Sequence, residues 1–265
     1  EIPEGLEVIN KNTQSFIPQD TSNLIYRAMA GLFDYVGYEQ KGYRITQDSQ
    51  IPMTRGLGSS SACIIGGMLA ANIISGRQLS YQEIIHLAAK MEGHPDNVGP
   101  ALFGGFCVSL MDDDKTIIKS TKLKSHIKFA VIIPDFFVAT KKSRGVLPSK
   151  IDFKDAVFNV GHASMFQAAM LTCDMKALEI GVKDKLHQQY RKSYVDGMED
   201  IFEKTYHLGS HATYLSGSGP TILSILDGNY DEFKAGMEEY FKTNGLEWKC
   251  MILPIDNVGA VVSEI

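Results

Sequence analysis

Residues 55–62 read RGLGSSSA, a segment with two glycines and three consecutive serines that stands directly before the apolar run CIIGGMLAANII. Apolar residues flank it closely on both sides, whereas Gly/Ser linkers join separate bodies. A hydrolase nucleophile turn needs G-x-S-x-G, and Ala62 stands where its second glycine would be. A Walker loop needs a lysine, and a dinucleotide fingerprint needs a glycine where Ser61 stands. The segment therefore matches none of these.

What remains is a glycine-rich loop that leads into a helix. Free backbone N–H groups and about half a positive charge from the helix dipole attract an anion at such an N-terminus. Glycines at positions 56 and 58 let the backbone approach phosphates closely, and serine hydroxyls can bind phosphate oxygens or Mg²⁺. A serine-capped core helix without a ligand is the alternative, and the segment alone leaves both open.

The overall composition is that of an ordinary globular protein. The chain has 265 residues, of which 44% are hydrophobic and 22% charged, so it can bury a substantial core in one large domain or two of usual size. Its 26 Lys+Arg against 31 Asp+Glu give a net charge of −5, which argues against a broad nucleic-acid surface. A phosphate site would have to be local.

The cysteines and the hydropathy pattern bear on location. The four cysteines are far apart and none stands in a CxxC pair, so neither a zinc motif nor a redox motif is indicated, and free thiols in a reducing cytosol fit best. No window approaches the roughly 18 to 20 apolar residues of a membrane span, and no signal peptide opens the chain. We therefore expect a cytoplasmic protein with neither a membrane nor a nucleic-acid partner.

Periodicity and capping signals predict the elements of the first half. We expect a helix from about Asn23 to Tyr35, capped by one of residues 20–22 and ended by Gly37, and no clear element before Asn23. A strand is predicted at residues 42–48, and a helix that is buried on most sides is predicted from Ser61 to about Ile74. A capping box in SYQE starts a further helix at residue 80, and Gly93 ends it.

The rest of the chain alternates strands and helices. We predict a strand within residues 102–115 that reaches a turn at 112–114, and strands at 127–134 and about 250–254. Two or three helices are predicted between about 152 and 206 and another from 230 to 242, with a strand, glycine turn and strand around 213–226. The polar stretch KSTKLKSH at 119–126 is the best domain boundary. The fold class is therefore α+β, with domains at residues 1–124 and 125–265.

The stretch MEGHPDN at residues 91–97 places Glu92, His94 and Asp96 close together at a helix end. The spacing matches no zinc motif, but a carboxylate there could serve Mg²⁺ together with phosphate oxygens. The alternative is a hydrogen-bonded turn in which Asp96 and Asn97 cap the next segment.

Three further features suit a small anionic ligand. LSGSGPT at residues 215–221 is a second glycine turn, which forms either a tight β connection or a wall of the same pocket as RGLGSSSA. Arg144 and Arg191 are the arginines best suited to a small carboxylate, because guanidinium groups grip carboxylates bidentately. Without other information, a surface position is the more common one for either arginine.

The motifs PMTRGLGSSSA, EGHPDNVGPALFGG, TKKSRGVLP, LHQQYR and YLSGSGPTI occur here in this order. In that order they resemble the homoserine kinases of the GHMP small-molecule kinase superfamily, over nearly the whole chain from about Asn23. The resemblance implies an N-terminal domain like domain 2 of ribosomal protein S5, a ferredoxin-like C-terminal domain, and an active site between them. It implies the phosphorylation of L-homoserine by ATP to O-phospho-L-homoserine in threonine biosynthesis, with Mg²⁺. We also expect a homodimer.

By position, the resemblance assigns three sets of residues. The ATP phosphates would be held by Pro52, Met53, Thr54, Arg55, Gly56, Leu57, Gly58, Ser59, Ser60, Ser61 and Ala62. Mg²⁺ would be held by Ser60 and Glu92, which are also the catalytic residues. Homoserine would face His94, Thr140, Arg144 and Arg191, with Gly217 and Gly219 bordering its pocket.

The chain departs from the family pattern at its N-terminal end. Members begin with a strand and a loop whose asparagine and aspartate contact the amino acid and its hydroxyl, and no such segment precedes Glu1. We expect that about forty residues, roughly one strand-loop-strand unit, are missing there. Two alternatives stay open, which are a GHMP kinase for another small alcohol and a nucleotide-binding relative without catalysis.

Overall fold

The computed structural model describes residues 5–11, 17–53, 55–113, 115–124, 126–136, 138, 143 and 145–263. These residues form two compact units. The N-terminal unit comprises the described residues within 1–52, 58–122 and 256–265, and the C-terminal unit those within 53–57 and 123–255. No helix in the described ranges is long and apolar enough to cross a membrane.

Four helices make up most of the N-terminal unit. They are α1 (Leu24–Val36), α2 (Ser59–Ile74), α3 (Tyr81–Glu92) and α4 (Val98–Phe103). The capping box that starts α3 is present as predicted: the Ser80 hydroxyl accepts from the Glu83 N–H, and the Glu83 carboxylate accepts from the Ser80 N–H at 2.8 Å. Gly37 and Gly93 end α1 and α3 in the left-handed region, again as predicted.

The N-cap of α1 differs from the prediction. Asn23, rather than one of residues 20–22, caps the helix, because its Oδ1 accepts from the N–H groups of Ile25 at 2.9 Å and Tyr26 at 3.3 Å. The Asp20 carboxylate accepts instead from the backbone N–H and hydroxyl of Ser22. Asparagine is as good an N-cap as aspartate or serine, so residue type alone could not choose among four adjacent candidates.

Close contact between α1 and α2 organises the core of this unit. Gly67 in α2 lies so near α1 that a Cβ atom there would stand 2.5 Å from the carbonyl oxygen of Ile25 and 2.9 Å from Cβ of Ala28. The core around this crossing includes Leu32, Phe33 and Ile64, each exposed by 1% or less. Packing of most of its residues thus fixes α2, and with it the position of its N-terminus.

The strands of the N-terminal unit form two small sheets. They are β1 (Leu6–Asn10) and β2 (Tyr43–Gln47), which pair in parallel, and β3 (Phe106–Asp112) and β4 (Lys115–Thr121), which pair in antiparallel. The expectation of no clear element before Asn23 was wrong, since β1 lies there. Only Val8 of β1 is buried, so its sequence carries little of the alternation that marks a half-buried strand.

The segment after α4 also departs from the prediction. A strand was expected over residues 102–115, but Leu102 and Phe103 belong to α4 and the strand starts at Phe106. Gly104 and Gly105 both have positive φ, 65° and 70°, so the backbone turns between helix and strand where glycine alone is unstrained. The polar stretch at 119–126 begins inside β4.

The C-terminal unit is built on one sheet of four strands in the order β6-β7-β5-β8, and all its pairings are antiparallel. The strands are β5 (Lys128–Ile133), β6 (Ala212–Leu215), β7 (Ile222–Leu226) and β8 (Lys249–Pro254). Its core includes Ile132, Ile222 and Phe233, each exposed by 1% or less.

Helices of the C-terminal unit occupy the predicted ranges. They are α5 (Phe153–Thr172), α6 (Met175–Gly181), α7 (Gln188–Arg191) with a 3-10 turn (Lys192–Tyr194), α8 (Met198–His207) and α9 (Tyr230–Thr243). The mixture of helices and strands that the sequence predicts is thus present in both units.

Two adjacent glycines in α2 test the role of the α1–α2 crossing. We expect Gly67→Ala to lower the free energy of unfolding by about 1–3 kcal/mol, because its methyl group would overlap the backbone of α1. Gly66 is exposed, and a Cβ there would have no described atom within 4 Å. Gly66→Ala should therefore raise stability by up to about 1 kcal/mol. Urea unfolding of both variants measures the change in the free energy of unfolding. Equal changes in the two variants would contradict the close contact between α1 and α2 at Gly67.

Candidate functional site

The N-terminus of α2 is open to a ligand. Gly58 stands at the N-cap position with φ of 72°, no described side chain caps the helix, and its first turn contains no acidic residue. The N–H groups of the first turn have no carbonyl partner within their own helix. Because the helix dipole adds partial positive charge there, this end can bind an anion without a lysine.

The three serines of the first turn have different environments. Ser61 is fully buried, whereas Ser60 is exposed and its hydroxyl donates to Oε1 of Glu92 at 2.5 Å. Glu92 is the last residue of α3, and Gly93 turns the chain away directly after it. The ends of two helices therefore place one hydroxyl and one carboxylate side by side.

His94 and Cys63 lie close to this pair in the chain or in space. Nδ1 of His94 is hydrogen-bonded to a carboxylate oxygen of Asp96, so residues 94–96 form a hydrogen-bonded turn, but the side chain of Asn97 does not cap α4 as the alternative interpretation of the sequence expected. Cys63 follows Ser60 by one turn of α2, and burial, together with the charge of Glu92, raises the pKa of its thiol. The thiol therefore stays protonated, which argues against a nucleophilic cysteine.

The middle of the glycine loop, Met53–Leu57, belongs to the C-terminal unit. The Ser216 hydroxyl donates to the carbonyl oxygen of Gly56 at 2.7 Å, and Nη2 of Arg55 donates to the carbonyl oxygen of Asp135 at 2.9 Å. Gly56 has φ of 75°, and a Cβ there would stand 2.5 Å from the carbonyl oxygen of Ser216 and 3.1 Å from that of Gly219. Both the φ value and the spacing require glycine at this position.

The second glycine turn, residues 216–219, is held from several directions. Its own backbone closes through a bond from the N–H of Gly219 to the carbonyl of Ser216 at 2.8 Å. Two side chains donate to its other carbonyls: Arg191 Nη1 reaches Gly217 at 2.8 Å, and the Ser143 hydroxyl reaches Ser218 at 2.6 Å. The turn is thus a fixed support for the glycine loop.

Arg191 is buried and oriented by its neighbours. Besides Gly217, its guanidinium group donates to the carbonyl oxygen of Ser143 at 3.4 Å and to Nδ1 of His187 at 3.2 Å. Burial lowers the pKa of His187, the charge of Asp184 opposes the shift, and the charge of Arg191 adds to it. His187 is therefore neutral near pH 7 and can accept from the arginine.

Asp184 anchors the segment that carries His187 and Arg191. Burial alone would raise its pKa, but hydrogen bonds from the Asn159 side chain and from the backbone N–H groups of Gln188 and His187, with the charge of His187, lower the pKa overall. The carboxylate thus stays ionised and caps the short helix α7. Sequence reasoning did not single out Asp184 or Ser143, although an aspartate two residues before LHQQYR would fit an N-cap signal.

The predicted site residues fall into three groups. Ser59, Ser60, Ser61, Ala62, Glu92 and His94 lie with Pro52 and Gly58 in the N-terminal unit, and Met53, Arg55, Gly56, Leu57, Arg191, Gly217 and Gly219 lie in the C-terminal unit. Thr54, Thr140 and Arg144 lie outside the described residues. Within the described ranges, no group of three or more His, Cys, Asp or Glu side chains could hold a metal ion by itself.

Two family models match the chain. The GHMP kinases N terminal domain matches residues 23–105, and the GHMP kinases C terminal model matches residues 166–243. A homoserine kinase from Clostridium beijerinckii is 42% identical over 265 residues, which cover 100% of this chain and 88% of that protein. The chain belongs to the homoserine kinases of the GHMP kinase family. A second relative, from Caldicellulosiruptor saccharolyticus, is 42% identical over 267 residues and covers 100% and 87% of the two chains.

A solved structure supports the same fold. The crystal structure of homoserine kinase from Cytophaga hutchinsonii matches with a TM-score of 0.86 at 22% identity, over 96% of this chain and 83% of that chain. At this identity the likeness bears on the fold alone. Together with the two family matches, it confirms the predicted two-domain α+β GHMP kinase fold.

The contact between Gly56 and the second glycine turn yields a prediction for ligand binding. Gly56→Ala should weaken ATP binding by about tenfold or more, because the loop must move to clear the carbonyl of Ser216. Gly197 has a similar φ of 73°, and no described atom lies within 4 Å of a Cβ there. Gly197→Ala should therefore cost about 1 kcal/mol of stability and leave ATP affinity unchanged. Nucleotide titration compares the two, and unchanged affinity in Gly56→Ala would contradict the role of this contact.

Proposed function

We propose that the protein transfers the γ-phosphoryl group of ATP to the side-chain hydroxyl of L-homoserine, which gives ADP and O-phospho-L-homoserine in threonine biosynthesis. The observation that carries the proposal is the uncapped N-terminus of α2, where the exposed Ser60 hydroxyl donates to Glu92 at 2.5 Å. The choice of acceptor rests on the homoserine kinases that are 42% identical over the whole chain.

For the ATP phosphates we propose the loop from Pro52 to Ala62. The open helix N-terminus supplies N–H donors and positive potential, and Gly56 and Gly58 supply the close backbone that phosphate oxygens require. We do not assign Arg55 as a cation that binds the phosphates, because its side chain donates to the backbone carbonyl of Asp135. Its main effect is to hold the loop.

The donor set at Ser60 and Glu92 fits Mg²⁺. Both side chains offer oxygen atoms, and kinases hold Mg²⁺ by one or two carboxylates together with substrate phosphates and waters. We propose that these two residues hold the ion. Bound there, Mg²⁺ would neutralise negative charge on the phosphates.

For homoserine we propose His94 and Arg191 among the described residues, with Thr140, Arg144 and the glycines 217 and 219. Arg191 suits the carboxylate, because its three hydrogen bonds hold a buried guanidinium group in one orientation and such a group binds carboxylates strongly. His94 engages Asp96 through Nδ1, and its other ring nitrogen has no hydrogen bond within the described part of the chain.

The proposed reaction is an in-line displacement. The homoserine oxygen forms a bond to the γ-phosphorus as the bond to the bridging oxygen of ATP breaks, ADP leaves, and the hydroxyl proton passes to an oxygen of the transferred phosphoryl group. We assign no described side chain as a strong base, since His94 is assigned to substrate binding. Rate enhancement then comes from positioning and from charge stabilisation by the loop N–H groups and the dipole of α2.

Two further properties belong to the proposal. A cytoplasmic location is supported by four cysteines that are all free thiols, which suits a reducing compartment. A homodimer is supported by an apolar stripe along α5, where Phe153 is 83% exposed, Val160 68% and Val157 56%. Large exposed apolar residues on one helix face are typical of an association surface.

A coupled ADP-release assay tests the reaction and the acceptor. With ATP and Mg²⁺, the purified protein should release ADP in the presence of L-homoserine and neither with mevalonate nor without an acceptor. Turnover with mevalonate alone would indicate a GHMP kinase for another alcohol. Nucleotide binding without turnover on any acceptor would indicate a relative without catalysis, and either result would overturn the proposal.

Replacing Glu92 tests the metal site. Glu92→Gln should raise the Mg²⁺ concentration needed for half-maximal rate by about tenfold and lower kcat, because an amide is a weaker and uncharged ligand. Glu83→Gln, at the opposite end of α3, is the matched control, since glutamine also serves in a capping box. Normal turnover of Glu92→Gln at limiting Mg²⁺ would remove Glu92 from the metal site.

A further inference from the structure

The C-terminal unit contains a cavity of about 200 Å³ that none of the proposed ATP or homoserine residues lines. It lies among α5, α6, α7 and β6, and its walls include Ala163, Phe166, Val182 and Leu215. An engineered apolar cavity of about 150 Å³ is large enough to bind benzene. The cavity can therefore admit a compact molecule of about ten heavy atoms.

Three polar side chains on its wall are already satisfied. Asn159 donates to Oδ1 of Asp184 at 2.7 Å and accepts from the N–H of Lys185 at 2.8 Å. The other carboxylate oxygen of Asp184 accepts from the N–H groups of His187 and Gln188, and the Gln188 side chain pairs with Val182 and Leu215. Both carboxylate oxygens of Asp184 therefore already accept hydrogen bonds from within the chain.

Three other groups on the wall are hydrogen-bond donors without a bonded acceptor among the described residues. Nδ1 of His187 accepts from Arg191, so the neutral ring carries its proton on Nε2, which lies 3.8 Å from Asp184, too far for a hydrogen bond. The hydroxyl of Tyr214 makes no hydrogen bond within the described ranges, and burial raises the pKa of Tyr214, which keeps its proton in place. Lys183 contributes an exposed ammonium group.

The apolar part of the cavity wall favours a ligand with a flat or branched apolar group. The ring of Phe166 meets that of Tyr214 edge to face, with centroids 5.9 Å apart at 76°, and the aliphatic side chains of Val182 and Leu215 complete the wall. A ligand that combines such a body with an acceptor group would bury apolar surface and satisfy the donors at the same time.

We propose that this cavity is a binding site for a small monocarboxylate with an apolar body, held by His187, Tyr214 and Lys183. A carboxylate is an acceptor-only group with a negative charge, so it matches two neutral donors and one ammonium group. A neutral ligand of the same shape would leave the lysine unmatched. A cation would be repelled by the ammonium group of Lys183.

The site is coupled to the proposed substrate arginine through a single side chain. The His187 ring contacts Arg191 through Nδ1, and His187 is one of the residues that line the cavity. Gln188, also on the wall, accepts from the N–H of Leu215 directly before the second glycine turn. A ligand that draws on Nε2 therefore shifts the ring that orients Arg191, and we expect it to change the KM for homoserine.

Ligand-observed NMR titration with benzoate tests the binding step, and benzamide is the uncharged analogue. The wild-type protein should bind benzoate with a Kd of about 1 mM, a value ordinary for nine heavy atoms, and benzamide at least about tenfold more weakly. Ala163→Phe places a ring in the cavity and should abolish binding. The matched control is Ala235→Phe, an exposed position on α9, which should bind as wild type does.

Conservative variants keep the test decisive if Ala163→Phe does not fold. Tyr214→Phe and Lys183→Met should each weaken benzoate binding by several-fold to about tenfold while the thermal unfolding curve changes little. No benzoate binding at about 10 mM, equal binding of benzamide, or unchanged binding in a folded Ala163→Phe variant would each overturn the proposal.

The predicted change in the KM for homoserine rests on the proposed function, and it is measured in an assay separate from the NMR titration. In the homoserine assay, benzoate should raise the KM for homoserine in the wild type and leave the KM for ATP unchanged, and Ala163→Phe should lose this effect. Persistence of the effect in Ala163→Phe would indicate direct competition at the substrate site and overturn the coupling. Absence of any turnover would refute the kinase proposal and leave the NMR result standing.

Discussion

The close approach of Gly56 to the second glycine turn is the constraint on which the loop geometry depends. The backbone at Gly56 lies against the carbonyls of Ser216 and Gly219 with no room for a Cβ, and the Ser216 hydroxyl bonds its carbonyl. The turn itself is held by Arg191 and by other donors. The shape of the glycine loop is therefore set by backbone spacing in the C-terminal unit, while the helix that it enters belongs to the N-terminal unit.

Positive potential at the loop comes from the backbone and not from a lysine. Helix α2 begins at Ser59 with a glycine N-cap and no acidic first-turn residue, so its dipole is not offset by a side-chain charge. Such a potential is useful only if the helix end cannot drift. The crossing at Gly67, where α1 leaves no room for a Cβ, provides that rigidity about two turns further along the same helix.

Sequence reasoning succeeded where a local signal had one interpretation. The capping box at Ser80 and Glu83, the terminating glycines 37 and 93, and the strand at residues 43–47 are all encoded by neighbours within a few positions. It failed where the signal was shared or weak. Four adjacent residues could cap α1, and β1 buries Val8 alone, so neither was determined by local chemistry.

The candidate site shows the same division. The glycine loop, Glu92 and Arg191 could be named from motifs, because each motif concentrates the residues of one function in a short stretch. The partners that orient them could not, because Ser143 and Gly217 stand 48 and 26 residues from Arg191, and Ser216 stands 160 residues from Gly56. Pairings of this kind depend on tertiary structure, which no single spacing encodes.

The environment of Arg191 links the stability of the fold to the chemistry proposed for it. A buried guanidinium group without hydrogen bonds would cost several kcal/mol, and here backbone carbonyls and a neutral imidazole accept from it. Folding has therefore already removed much of its water and fixed its orientation. The ionised Asp184 stabilises the orientation of Arg191 indirectly, since it accepts from the N–H of His187 and caps the turn that carries this histidine. A substrate carboxylate that binds Arg191 would thus meet a cation that the fold has already oriented and partly dehydrated, which is the condition under which a charge pair contributes most to binding.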